Sequence, residues 1–159
     1  MQSLKQTQAP SFKLRDSTDQ WVDLNSFKGK WLVIFFYPKD DTPGCTKEAC
    51  NFRDNYSLIK SVGANIVGIS LDGSSSHQKF SAKHGLPFML LSDPNGTVTK
   101  AYGALFQFFC IRLAKRHSFI IDPSGLIRKE YRSVNPATHS DQIIKDLKFL
   151  QVHGWLFFN

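Results

Sequence analysis

From Trp31 to Tyr37 the chain reads WLVIFFY, with no polar position to turn toward water, so this run predicts a strand covered on both faces. ANIVGISL (Ala64 to Leu71) predicts a second buried strand, Phe88 to Leu91 a short third and HSFII (His117 to Ile121) a fourth. Between them the apolar spacing lengthens to that of helices. One helix is expected from about Thr46 to Ser61, with Phe52, Tyr56 and Ile59 on its apolar side. A second is HQKFSAKH, with N-caps offered by Ser74 to Ser76 and a stop at Gly85. Val98 to Tyr102 predicts one or two helical turns, and a last helix begins near Thr138 or Ser140 with Ile143, Ile144, Leu147 and Leu150 on one face. Upstream, APSFKL and WVDL predict two short strands about a turn at Asp16 to Asp19, and LNSFKGK a helical turn closed by Gly29. The turn Asp122-Pro123-Ser124-Gly125 predicts a hairpin into Leu126 to Arg132. This order implies an α/β sandwich: parallel strands joined by helices, then an antiparallel edge.

Composition narrows the picture. With 159 residues, 42% of them hydrophobic, the chain suits one domain over residues 1–159, and no repeat or linker interrupts it. Its longest apolar run is strand-sized, too short to span a bilayer. The net charge of +7 is spread over scattered Lys and Arg, and the densest cluster, Arg112, Lys115 and Arg116, is short. It reads as a solvated surface able to steer acidic proteins; no nucleic-acid or membrane partner is expected. The closing Trp155, Leu156, Phe157 and Phe158 are expected to dock on the domain, the other reading being a sticky surface for a partner or a membrane. MQSLKQTQAP has no apolar core before a cleavage site, so a cytoplasmic protein is expected, or one of the plastid stroma or lumen after removal of a transit peptide. Three cysteines argue against a disulfide framework and for a reducing compartment, with a working pair and Cys110 as a buried bystander.

The chemistry concentrates between Phe35 and Asp54, FFYPKDDTPGCTKEACNFRD. Cys45 follows Pro43 and Gly44 into the first turn of a predicted helix. The unpaired amides and the positive end of the helix dipole there favour a thiolate. Thr42 is close enough for its hydroxyl to aim at the same point as the sulfur, Pro38 and Pro43 bracket a rigid loop, and Gly44 exposes backbone amide. A thiolate with hydroxyl and amide donors suits a small polar oxygen substrate. An acyl substrate would normally need a histidine base, and none of the five histidines is placed by sequence to supply one. Cys50 lies on the same helix, about 7.5 Å along the axis and roughly 140° around it. The two alpha carbons are then on the order of 8–9 Å apart, beyond the roughly 7 Å reach of a disulfide, so any bond between them requires unwinding.

Pro38, Thr42 and Cys45, in YPKDDTPGCTKEAC, match the pattern of peroxiredoxins, and the placement of Cys50 resembles the bacterioferritin comigratory protein or peroxiredoxin Q subfamily. The similarity runs from APSFKL to RHSFIIDPSG. It implies a thioredoxin-like fold, a mixed central sheet flanked by helices, and an enzyme that reduces hydrogen peroxide and alkyl hydroperoxides. By resemblance, Cys45 is the peroxidatic cysteine, Thr42 hydrogen-bonds the peroxide, Pro38 shields the pocket, Arg116 enters beside the cysteine, and Cys50 resolves the oxidised sulfur through a Cys45–Cys50 disulfide. Thioredoxin or glutaredoxin is the implied reductant; no cofactor or metal is implied, and a monomer is expected. Two other readings stay open: a protein dithiol–disulfide oxidoreductase, which would prefer two residues between its cysteines rather than four, and a non-enzymic peroxide sensor. A zinc site is poorer, for want of a second ligand pair.

Overall fold

The computed structural model describes residues 2–154, and its strands are β1 (Lys13–Asp16), β2 (Trp21–Asp23), β3 (Trp31–Phe36), β4 (Ala64–Ser70), β5 (Met89–Ser92), β6 (Leu105–Phe108), β7 (Ile111–Ala114), β8 (Ser118–Ile121) and β9 (Ile127–Tyr131). Its helices are α1 (Pro43–Asp54), α2 (Tyr56–Ser61), α3 (Ser74–His84), α4 (Thr97–Ala101) and α5 (His139–His153), with a 3-10 turn at Leu24–Phe27. Trp155, Leu156, Phe157 and Phe158 lie outside the described residues.

Seven strands form one mixed sheet in the order β2-β1-β5-β4-β3-β8-β9. β3, β4 and β5 run parallel, joined by helices, while β8 and β9 on one side and β1 and β2 on the other are antiparallel. Antiparallel strands thus close both edges, one more than the sequence implied. The apolar run of β3 divides as a doubly covered strand must. Val33, Phe35 and Tyr37 face one layer with Ala49, Phe52, Phe80, Ile143 and Leu147; Leu32, Ile34 and Phe36 face the other with Tyr102 and Phe119. Gly68 is what lets two strands carry this load: a Cβ there would lie 2.6 Å from the Phe35 ring and 2.9 Å from Leu90.

Three local differences have physical causes. The helix expected from Thr46 begins earlier, at Pro43, since proline's fixed φ and missing N–H suit the first helical position. It breaks at Asn55, whose side-chain amide donates to the Asn51 carbonyl and the Ser140 hydroxyl, competing with the helical ladder. A separate hairpin, β6–β7, occupies the stretch from Leu105 to Ala114, where no strand was expected. Phe106, Phe108 and Phe109 on it are exposed, so they do not fill core, and Cys110 at its turn is exposed rather than buried.

Candidate active site

β3 delivers the chain to the carboxyl edge of the sheet, where the turn from Pro38 to Thr42 leads into α1. This turn is fastened chiefly by one carboxylate. Asp40, buried, accepts from the Tyr37 hydroxyl at 2.6 Å and from Ser76 at 2.8 Å, and it lies 2.7 Å from His77 Nδ1. His77 Nε2 in turn lies 3.0 Å from the Leu91 carbonyl, and the Asp40 amide donates to Asp72. Burial and the neighbouring Asp40 charge hold the Tyr37 hydroxyl well above its ordinary pKa, so it stays protonated and donates. The two prolines bracket the loop, but these bonds tie it to α3 and β5.

Cys45, 1% exposed, occupies the first turn of α1. Thr46 bonds back to the Thr42 carbonyl and Pro43 has no N–H, which leaves the Gly44 and Cys45 amides as the helix's unpaired donors beside the sulfur. Arg116 arrives from far along the chain because of strand register. Phe35 pairs with Ser118 and the Phe36 amide donates to the His117 carbonyl, so the residue just before β8 must lie at the end of β3. Arg116 Nη2 is 3.4 Å from Cys45 Sγ, and Nη1 is 3.5 Å from Glu48 Oε1. Glu48 is fully buried one turn after Cys45; desolvation pushes its carboxyl up to about 7, against the pull of Arg116. The guanidinium therefore bridges a thiol and a carboxyl in a dry site.

The Thr42 hydroxyl donates to the Lys39 carbonyl at 2.8 Å, which commits its one proton and leaves the Oγ1 lone pairs free to accept. Cys50 lies on α1 as predicted, half-buried, and both thiols are free. No histidine bonds the Cys45 thiol among the described residues, and burial with Arg132 and Lys115 nearby lowers His117, next to Arg116, to about 4. The sequence-predicted Cys45, Gly44, Thr42 and Arg116 gather at one helix end, and Pro38 opens the loop that leads to it; Cys50 stands apart from the sulfur by its helical offset.

Residues 6–130 match the AhpC/TSA family model. Peroxiredoxin Q of Sedum lineare, a chloroplast protein, is 43% identical over 143 residues, covering 89% of this chain and 76% of that protein. Peroxidoxin BcpB of Mycobacterium tuberculosis superposes with a TM-score of 0.88 at 32% identity, over 94% of this chain and 99% of that one. The bacterioferritin comigratory protein of Xanthomonas campestris, solved as trapped-intermediate and ligand complexes bearing on alkyl peroxide reduction, gives 0.81 at 34% identity over 86% and 90% of the two chains. This chain belongs to the AhpC/TSA family. Within that family it is of the peroxiredoxin Q kind, with the thioredoxin-like fold and a thiol-dependent peroxidase activity. Among the described residues no helix is long and apolar enough to cross a membrane.

For a peroxiredoxin site, sequence reasoning overlooked Glu48 and the Tyr37–Asp40–His77 network. Glu48 had a signal: Cys45, Ala49 and Phe52 repeat at helical spacing, and a glutamate at the intervening inward position must be buried with its charge opposed. Gly44 has a sharper role than exposing an amide. A Cβ there would sit 3.0 Å from Arg116 Nη2. Gly44→Ala is therefore expected to displace the guanidinium by a few tenths of an ångström and slow peroxide reduction about three- to tenfold. The added helix propensity should keep the thermal midpoint equal or higher; an unchanged rate would show that the guanidinium tolerates the shift.

Proposed function

We propose that this chain reduces hydrogen peroxide and alkyl hydroperoxides with Cys45 as the peroxidatic and Cys50 as the resolving cysteine. The single observation that carries the reading is the Arg116 guanidinium 3.4 Å from the buried Cys45 sulfur at the start of α1. The cation and the Gly44 and Cys45 amides favour negative charge on Sγ and on the oxygen that departs. Thr42 Oγ1 accepts a hydrogen bond from the hydroperoxide O–H, orienting it. The thiolate attacks one peroxide oxygen, the O–O bond breaks as the S–O bond forms, and the other oxygen leaves as alkoxide or hydroxide and takes a proton. Pro38 covers the pocket, sparing the sulfenic acid from further oxidation.

The start of α1 then unwinds, while the Asn51 and Asn55 contacts to Ser140 hold its later turns. The Cys50 thiol displaces water from the sulfenic acid, and a disulfide joins Cys45 to Cys50. A dithiol protein, thioredoxin or glutaredoxin, exchanges with it and returns both thiols. The named Xanthomonas relative's alkyl peroxide reduction supports the wider substrate range. We place the protein as a monomer in a reducing compartment, cytoplasm or plastid. The test is NADPH consumption with thioredoxin, thioredoxin reductase and hydrogen peroxide or an alkyl hydroperoxide. Steady turnover is expected. Reduction of a protein disulfide with no turnover of any hydroperoxide would overturn the reading in favour of dithiol exchange.

A further inference from the structure

The hairpin β6–β7 exposes an apolar face near its tip. Phe106 pairs with Leu113 and Phe108 with Ile111, so these four share one face; Leu105, Gln107, Arg112 and Ala114 share the other. The second face meets the body at the base of the hairpin, where Ala114 is buried, Arg112 donates to the Asn95 carbonyl and a Cβ on Gly96 would lie 3.2 Å from a Leu105 methyl, while Gln107 and Arg112 nearer the tip are exposed. The apolar face is open as well, with Phe106 43%, Phe108 58% and Ile111 53% exposed. At the apex Phe109 is 86% exposed and held at φ +52°, a left-handed conformation in which a water-facing turn would favour Asn or Gly. Its ring stands edge-on to Phe108, 4.5 Å between centroids.

The stretch of chain that carries this apex has charge of one sign. From Pro94 to Ile121 the chain carries Lys100, Arg112, Lys115 and Arg116 and no Asp or Glu. The Lys115 amide bonds the Ala104 carbonyl, which sets Lys115 at the base of the hairpin, while the Arg116 guanidinium is turned to Cys45 and Glu48. An apolar tip backed by cations is complementary to a bilayer, whose anionic headgroups lie outside its acyl region.

We propose that the β6–β7 hairpin docks this protein on lipid bilayers that carry anionic headgroups, Phe108 and Phe109 entering the acyl boundary and Lys100, Arg112 and Lys115 facing the headgroups. This departs from the expectation of no membrane partner, which rested on the lack of an apolar run long enough to span a bilayer. A second copy is the poorer occupant, because a two-fold contact would set like-charged hairpin bases against each other. β7 also leads within two residues to Arg116. Docking thereby brings the peroxide site near the bilayer surface, where phospholipid hydroperoxides are within reach. That consequence rests on the peroxidase reading; the docking does not.

The test is co-sedimentation of the full chain with vesicles of phosphatidylcholine containing a quarter phosphatidylglycerol, compared with pure phosphatidylcholine, at low and high salt. Sedimentation velocity and hydrogen peroxide turnover are measured alongside. Wild type is expected to sediment with the anionic vesicles and to be released by salt. Phe108→Ser/Phe109→Ser should bind at least about tenfold more weakly while its turnover is unchanged. The proposal is overturned if wild type stays in the supernatant, if the double variant binds equally, or if wild type is a dimer that the double variant dissolves. Loss of turnover in wild type would instead sink the peroxidase reading and leave the docking result standing.

Discussion

Cys45→Ser will reduce peroxide consumption to background, a loss of at least about 10⁴-fold, whereas Cys50→Ser will consume one equivalent of peroxide per chain and stop. The difference follows from where each thiol sits. Cys45 is buried against Arg116 and the unpaired amides of α1, so a serine hydroxyl placed there meets the same donors but lacks the sulfur nucleophile. Cys50 lies on the same helix away from those donors. Its removal leaves the first chemical step intact and takes away the thiol that discharges the product. Mass spectrometry of Cys50→Ser after one exposure to peroxide should show a single added oxygen, trappable by a sulfenic-acid reagent. Wild type should instead lose two hydrogens and resist the reagent. The α1 helix must open for that, since Cys45 and Cys50 cannot bond at about 8–9 Å between alpha carbons. Amide exchange over Pro43 to Ala49 should accordingly be faster in the oxidised protein. Sustained turnover by Cys50→Ser with thioredoxin would mean that the sulfenic acid is reduced directly, and the resolving role would be lost.

Much of this arrangement could be read from the chain because it depends on local signals. WLVIFFY reads as a doubly covered strand, and the helical composition from Thr46 after Pro43-Gly44 puts Cys45 at a helix start beyond that strand, although the helix itself begins earlier, at Pro43. What escaped depends on long-range register or on charge in unexpected places. Arg116 meets Cys45 only because β8 pairs antiparallel with β3 at a particular offset, and sequence reached it through family resemblance alone. Asp40 looked like one of several polar turn residues. Its burial beneath Tyr37 and His77 depends on where α3 packs. The β6–β7 hairpin was hidden for a different reason: its open face is apolar, so FQFFCI showed no alternation of the kind that marks a half-exposed strand.

Arg116→Gln is expected to lower the second-order rate with hydrogen peroxide by about a hundred- to a thousandfold, because it removes the charged donor nearest the reacting sulfur. The same change should reshape stability, through Glu48. Its carboxyl, ordinarily near 4.5, stands at about 7 in the folded chain, so folding favours the protonated form. Stability is therefore fullest below about pH 4.5 and declines as pH rises through 7, by up to about 3 kcal/mol for a shift of this size. Arg116 is the group that opposes the shift. Without it Glu48 should be harder still to ionise, and the decline should continue above pH 7. Denaturant unfolding should place Arg116→Gln close to wild type at pH 5, where the carboxyl is neutral in both, and about 1–3 kcal/mol below it at pH 8. Glu48→Gln added to Arg116→Gln should remove the gap at pH 8 without restoring the rate, which separates the arginine's electrostatic work on the thiol from its partnership with the carboxyl. A gap that persists in the double variant would locate the pH dependence elsewhere, and a rate near wild type in Arg116→Gln would leave the helix amides alone to stabilise the departing oxygen.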